Sequence, residues 1–326
     1  MSFTVFDMHI GAHEKLGTIS YGQTSASGST GASTNHGTVM DRTESTAHAD
    51  DQFNNGTIYF VRSGDQASSA VFLEKRSRRI LDYDASSGKY FFNALTTAST
   101  AGLSTGGIST NGTIYGVATP EFPLTLMDRL SNVAVQALGP FVYTARAIIS
   151  SANQRIYTIS TLQAVDGSGT FGKYSKPFLV EIQNRINSSL DDPDWSELHG
   201  WKAVPTTAGA AGAIEFPRYL PSGRDVRVWY EDHHTLLIDS TQVIEERIHP
   251  ELATLMLVEK MYEFRNSRSR GAQEFDVQRW NDAKRQVAEA RVRWPVWRPV
   301  RQPEINVFGK TASQLSATNP YGGGLE

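Results

Sequence analysis

Four groups of residues in this chain have types and spacing that could do chemistry. Gly167-Ser168-Gly169-Thr170-Phe171-Gly172-Lys173 has the spacing of a loop that cradles phosphate on backbone N–H groups and a helix N-terminus. Tyr174 stands where a Ser or Thr should hold Mg²⁺, and Pro177 forbids the helix, so the run reads as a β-turn loop. His9 and His13 stand four residues apart beside Glu14, which could place two imidazoles on one helix face for a metal. No third ligand is identifiable and Gly11 between them makes a poor rigid platform, so they read as solvated or interface histidines. Glu231-Asp232-His233-His234 offers acid and base types, but strand alternation would send neighbours to opposite faces, and a polar turn is the simpler reading. Asp191, Asp192 and Asp194 beside Trp195 match a carbohydrate or calcium loop only loosely. They read as an Asp-Pro surface turn, with Trp195 and Trp201 as anchors of a β region. No Ser-His-Asp order, paired-carboxylate cleft or dinucleotide glycine motif is present. The sequence therefore nominates no catalytic, cofactor-binding or metal residue, and the chain reads as a non-enzyme.

Binding chemistry is better represented. Arg76, Arg78 and Arg79 form one basic cluster, and Arg265, Arg268 and Arg270 form a second between two helical segments. Either suits phosphate, and the second also suits an acidic protein rim, which makes Arg265, Arg268 and Arg270 candidate contacts for DNA or such a rim. Beyond them Trp294-Pro295-Val296-Trp297-Arg298-Pro299-Val300-Arg301-Gln302-Pro303 is held extended by three prolines. It carries the residue types enriched at binding hot spots. The expectation is that this tail leaves the helices and docks on a partner or a neighbouring subunit through Trp294, Trp297, Arg298 and Arg301.

Composition bounds these readings. With 326 residues, 39% hydrophobic and 20% charged, the chain is an ordinary globular protein with room for about two domains. A net charge of −3 argues against a whole-molecule nucleic-acid binder. The charge is unevenly spread: residues 265–301 hold ten Arg or Lys against four Asp or Glu, and the first fifty hold two against five. Cysteine is absent, which excludes a disulfide framework and thiolate chemistry and fits synthesis in a reducing cytosol. No apolar run approaches the ~20 residues of a membrane span, and the N-terminus lacks the pattern of a secretion signal, so neither a membrane anchor nor that export route is expected. Asn55, Asn111 and Asn187 then match the glycosylation pattern by chance.

The elements that must position these residues follow from periodicity. Residues 1–49, rich in Gly, Ser, Thr and Ala, predict an extended arm. Residues 50–118 predict a small antiparallel β unit with strands at 57–61, 71–73, 79–83, 89–92 and 113–117. A helix over 124–138, within 119–145, carries the stripe Leu126, Leu130, Val133 and Ala137 and stops at Gly139-Pro140. Residues 146–246 predict a β domain, its last strand at 235–238. A C-terminal helical pair fills 247–295: 250–264 is apolar nearly all round, and 274–294 carries one narrow stripe, Val277, Trp280, Ala283, Val287, Ala290 and Trp294. Residues 296–326 form the tail. The fold class expected is α+β: a bundle of three or more helices with antiparallel β insertions, an extended N-terminal arm and a C-terminal tail.

Three stretches together resemble the head-tail adaptor (connector or neck) proteins of tailed bacteriophages. One is Asp50-Asp51-Gln52-Phe53-Asn54-Asn55-Gly56-Thr57-Ile58-Tyr59 followed by Arg79-Ile80-Leu81-Asp82-Tyr83-Asp84. It is similar to an aromatic-x-Gly-Gly-Thr strand leading to an Arg-x-Ile-x-x-Tyr strand, with Asn55 in place of the first glycine. The helix over 124–138 followed by Ala152-Asn153-Gln154-Arg155-Ile156-Tyr157 is the second, and Ile248-His249-Pro250-Glu251-Leu252 is the third. The resemblance covers residues 50–295 in outline. It implies a structural virion protein at the head-tail interface, made in the host cytoplasm and arranged as a ring of about twelve copies. It implies as partners the portal protein, tail or stopper (nozzle) proteins, and genomic DNA passing without sequence-specific contact; no cofactor and no membrane enter. The competing expectation is a tail-tip or receptor-binding structural protein whose β module binds carbohydrate through Trp195, Trp201 and Trp229.

Overall fold

The structure is a computed structural model and describes residues 2–29, 36–41, 48–62, 74–93, 107–108, 113–148, 155–158, 163–164, 176–183, 195–204, 213–220, 224–268 and 274–296. In chain order the elements are α1 (Val5–Leu16), β1 (Ile19–Gln23), β2 (Ala26–Ser29), β3 (His36–Met40), β4 (Thr57–Arg62), β5 (Arg76–Asp84), β6 (Lys89–Asn93), β7 (Gly107–Ile108), β8 (Ile114–Ala118) and α2 (Leu124–Gln136). Then come β9 (Phe141–Ile148), β10 (Ile156–Thr158), β11 (Gln163–Ala164), β12 (Lys176–Gln183), β13 (Trp195–Glu197), β14 (Lys202–Val204), β15 (Ala213–Glu215), β16 (Asp225–Asp232), α3 (Pro250–Arg268) and α4 (Glu274–Arg293). The chain divides into two compact units. The first joins residues 1–138 to 236–296, and the second is built from the stretch between them.

The first unit corrects the expected fold class. Its frame is a curled antiparallel sheet rather than a helix bundle, with strand order β1-β8-β4-β5-β6-β3-β2-β7. β4 shows why. Alternate residues of a strand point to opposite faces, and here both faces are buried: Ile58 and Phe60 feed an aromatic core with Phe53, Tyr83, Tyr90 and Phe92, while Tyr59 packs with Phe6 and Ala118 on the helical side. A strand buried on both faces lies at the middle of a fold, so the helices are a layer laid against it. Sheet partners came from stretches of low apparent β content: β1 and β3 each carry a glycine, β2 reads Ala-Ser-Gly-Ser, and pairing with β8, β6 and β3 makes them strands.

The described residues of 1–49 are therefore not an extended arm. α1 starts with a reciprocal capping box: Thr4 Oγ1 accepts from the Asp7 N–H at 3.4 Å, and Asp7 accepts from the Thr4 N–H at 3.0 Å. It ends at Gly17, whose φ of 67° is the left-handed cap that glycine favours. Its buried face is Val5, Phe6, Met8, His9, Ala12 and His13. Counting histidine as polar hides that stripe. Gly11 has a packing role: a Cβ there would stand 3.1 Å from Thr254 Cγ2, so glycine permits the close approach of α1 to α3. The N-terminus is also tied to residues far along the chain, by a bridge between Thr4 and Val243 and by bonds from Val5 N to Gln242 O (3.0 Å) and Phe6 N to Ser240 O (2.8 Å).

The strand expected at 235–238 is not a sheet strand, because side chains take its backbone bonds. Asn132 accepts from Leu237 N–H and donates to Leu237 C=O, both at 2.8 Å. Gln242 does the same service for Ile238 N–H and Leu236 C=O, each at 3.1 Å.

The second unit holds a five-stranded antiparallel sheet, order β11-β9-β16-β12-β13, and a three-stranded one, β10-β15-β14. β9 and β16 pair over their full lengths, from Phe141↔Asp232 to Ile148↔Asp225. One face of β16 buries Val226, Val228 and Tyr230, with Tyr230 stacked on Tyr143 at 5.7 Å; the other carries Arg227 and Trp229.

Candidate partner interface

The C-terminal helices and the segments that follow them carry the binding residues that the sequence nominates. α3 opens on Pro250, whose missing N–H needs no partner in a first turn. It buries Leu252, Ala253, Leu255, Met256, Leu257, Val258, Met261 and Tyr262 under α1, α2 and α4. α4 is one residue longer and buries only Ala283, Val287 and Ala290. Phe275 and Val292 are 56% and 84% exposed on it. At 3.6 residues per turn, Val277, Trp280, Lys284, Ala288 and Arg291 share one flank beside the buried stripe. Among the described residues Arg279, Lys284 and Arg291 have no acidic partner. Arg279 lies over the Phe275 ring at 4.1 Å and Lys284 over Trp280 at 3.3 Å.

The nominated residues take different roles. Arg265 is engaged internally: its Nε and Nη2 donate to the two carboxylate oxygens of Glu121, both at 2.6 Å, and Asp276 lies 3.8 Å away. The guanidinium also lies over Phe122 at 5.6 Å, so Arg265 ties α3 to the entry of α2 and the start of α4 and has little charge left for DNA. Arg268, at the end of α3, stacks over Phe264 at 5.1 Å and is exposed. Trp294 docks on its own unit. Its ring stacks on His249 at 3.8 Å with 4° between planes, and its Nε1 donates to Glu251 at 3.1 Å. Arg293 adds an ion pair to the same carboxylate at 3.7 Å, and His249 Nδ1 accepts from Glu251 N–H in the first turn of α3. The end of α4 is thus latched to the start of α3. Arg270, Trp297, Arg298, Arg301, the loop 167–173 and the acidic run 191–194 lie outside the described residues.

His9 and His13, expected as solvated or interface histidines, are fully buried. His9 Nε2 lies 2.8 Å from Ser131 Oγ on α2, and His13 Nδ1 lies 2.8 Å from Thr18 Oγ1. Both rings meet Tyr59 edge-on, at 6.4 Å and 5.6 Å. Burial, with the neighbouring His13 second, lowers His9 to a pKa of about 3, and burial lowers His13 to about 4, so both are neutral. Burial and then the Asp128 carboxylate push the Tyr59 phenol well above its usual range. Asp128 itself is raised to about 6 by burial and then by Asp239. Among the described residues no group of three metal-ligating side chains forms. The sequence signal that could have located this cluster is the Thr4-x-x-Asp7 helix start, which puts His9 and His13 on one face.

The remaining candidates are structural in placement. Arg76 pairs with Asp239 at 3.4 Å, Arg78 donates to Ser77 C=O at 2.8 Å, and Arg79 bonds the Asn55 side chain. His234 is buried, donating from Nδ1 to Thr235 C=O at 2.6 Å, while His233 is exposed. In the second unit Arg227 lies over Trp195 at 4.4 Å and Trp229 at 5.1 Å. Glu181 Oε2 accepts from both Arg227 Nε (2.7 Å) and Trp229 Nε1 (2.6 Å). No helix among the described residues is long and apolar enough to cross a membrane. No protein-family model matches the chain, and no curated protein matches it either.

Proposed function

We propose that this chain is a structural virion protein, a head-tail adaptor that forms a ring between portal and tail and leaves a channel for DNA. The observation that carries the reading is the contrast within the C-terminal pair, where a 20-residue helix buries three small side chains and, among the described residues, keeps three cations without acidic partners. A helix so lightly buried on its own unit suits a protein that is completed by neighbours. The resembling motif also has a coherent physical role. Asn55 holds φ 69°, where family members have glycine, and a Cβ on Gly56 would stand 2.4 Å from Ala118 O. Asn55 N donates to Ile80 C=O at 3.0 Å and Phe53 meets Tyr83 edge-on at 5.2 Å, so the two motif strands lock one turn onto the sheet. His9, His13 and Tyr59, three of the perturbed titratable groups, are buried in the interior, which favours a structural role over an enzymatic one.

Native mass spectrometry of the chain, alone and with the portal ring encoded in the same genome, tests the proposal. Association in a stoichiometry of about twelve copies is expected; a chain indifferent to portal overturns it. The Trp195–Arg227–Trp229 ladder favours one second reading, a tail-tip or receptor-binding protein with a carbohydrate-binding β module. A stable trimer that binds glycan would select it.

A further inference from the structure

We infer that the flank of α4 carrying Trp280, Lys284 and Arg291 docks on an acidic rim of a second copy of this chain, formed by Asp50, Asp51, Asp82 and Asp84. This contact rests on the ring of the proposed function and names its subunit interface. The helical side of the argument is burial and charge. α4 is held to its own unit by Ala283, Val287 and Ala290, and beside that stripe Lys284 and Arg291 are exposed without acidic partners among the described residues. Lys284 already lies over the indole of Trp280, whose Nε1 is buried with no hydrogen-bond partner. A carboxylate arriving on this flank meets two cations.

The rim supplies such carboxylates. Asp50, Asp51 and Asp82 are exposed, Asp84 is half-buried, and none of the four has an ion pair among the described residues. Their partners are neutral: Asn54 donates to Asp51 at 2.6 Å and Asp82 at 3.2 Å, Ala85 N–H to Asp50 at 3.0 Å, and Ser86 and Ser87 to Asp84. The rim is rigid as well as charged, since Asp51 N–H is bonded to Tyr83 C=O at 3.2 Å within the turn that the motif locks. Four uncompensated carboxylates and a cationic helix flank on one chain are complementary between copies, and opposite potentials both attract and set register.

Two charge-reversed variants test the contact: Lys284→Glu with Arg291→Glu, and Asp50→Lys with Asp82→Lys, which leaves Asp51 and Asp84 and their bonds in place. All four substituted positions are exposed, and thermal melting followed by circular dichroism checks that each variant folds. Masses are read by sedimentation over a range of protein and salt concentrations, then with the portal ring added. The wild type should associate and lose association as salt rises. Each variant alone should associate at least tenfold more weakly, and an equimolar mixture of the two should recover, because each then offers what the other needs. Variants that assemble as the wild type does, with or without portal, overturn the contact and leave the adaptor reading standing. A wild type that neither self-associates nor binds portal overturns both. A dimer broken by either variant and restored by mixing supports the contact and overturns the ring. If the Lys284/Arg291 variant instead loses binding to duplex DNA and mixing restores no assembly, the flank belongs to nucleic acid and the contact falls.

Discussion

α3 and α4 are consecutive, nearly equal in length and packed on each other, yet they do opposite things. α3 buries nine residues, among them Leu255, Met256 and Leu257, whereas α4 buries three, none larger than valine. Helical length therefore says little about a helix's share in stability. What decides is how much side-chain area neighbouring elements remove from water. α3 is a fold element, and α4 is a surface held in place by it.

The comparison breaks most visibly if a large side chain is removed from each helix. Leu257→Ala should cost about 3 kcal/mol in urea unfolding and Val287→Ala about 1 kcal/mol. Equal losses would mean that α4 is packed as heavily as α3.

Acid should act next, through the histidines that α1 sets against α2 and β4. His9 and His13 have folded pKa values of about 3 and about 4, below the unfolded value of 6.5. The unfolded chain therefore binds more protons across that window. The stability they contribute is present above pH 6.5 and is lost as pH falls toward 4, by up to about 1.4 kcal/mol per histidine per pH unit. Asp128, raised to about 6, has the opposite sign: the folded chain takes up its proton first, so its contribution grows as pH falls through 6 toward 3.8. Melting temperatures should drop between pH 6 and 4, and Asp128→Asn should make the drop steeper. A flat profile over that range would show that the histidines are not held neutral.

Smaller effects sharpen the contrast. Arg265→Gln, which removes the bond to Glu121 and the nearby charge of Asp276, should cost about 1 kcal/mol in the same unfolding assay, since the pair is partly exposed. Trp294→Ala should change global stability by less than about 0.5 kcal/mol. It should nevertheless speed hydrogen exchange of the last turn of α4, including the Trp294 amide bonded to Ala290 C=O at 2.7 Å. Unchanged exchange there would show that His249 and Glu251 do not latch the helix end.

Much of this fold was legible. Pro250 at the start of α3, the extents of α2 and α4, and β4, β6 and β8 follow directly from periodicity and punctuation. The architecture is a sheet with a helical layer rather than the expected helix bundle, and the sequence hides it because β1 and β3 mix glycine and polar residues with few apolar ones and β2 is Ala-Ser-Gly-Ser, so they carry almost no pattern of their own. They are strands because β8 and β6 give them partners. α1 was hidden by its histidines and by Gly11, whose lack of a side chain serves packing rather than flexibility. Of the site residues, spacing could not reveal that Glu121, about 140 residues away in sequence, occupies Arg265.

The tie between the N-terminus and residues 240–244 has a consequence for how the molecule comes into being. The first unit cannot close until α3 has left the ribosome, because α1 and α2 both pack on it and Phe3, Val5 and Phe6 bond to a segment synthesised after residues 139–235. At ordinary translation rates the interval is on the order of ten seconds. The nascent chain thus carries an unfinished first unit while the second becomes complete, and any product that stops before residue 250 should present Phe6, Met8 and the histidine face to proteases and chaperones.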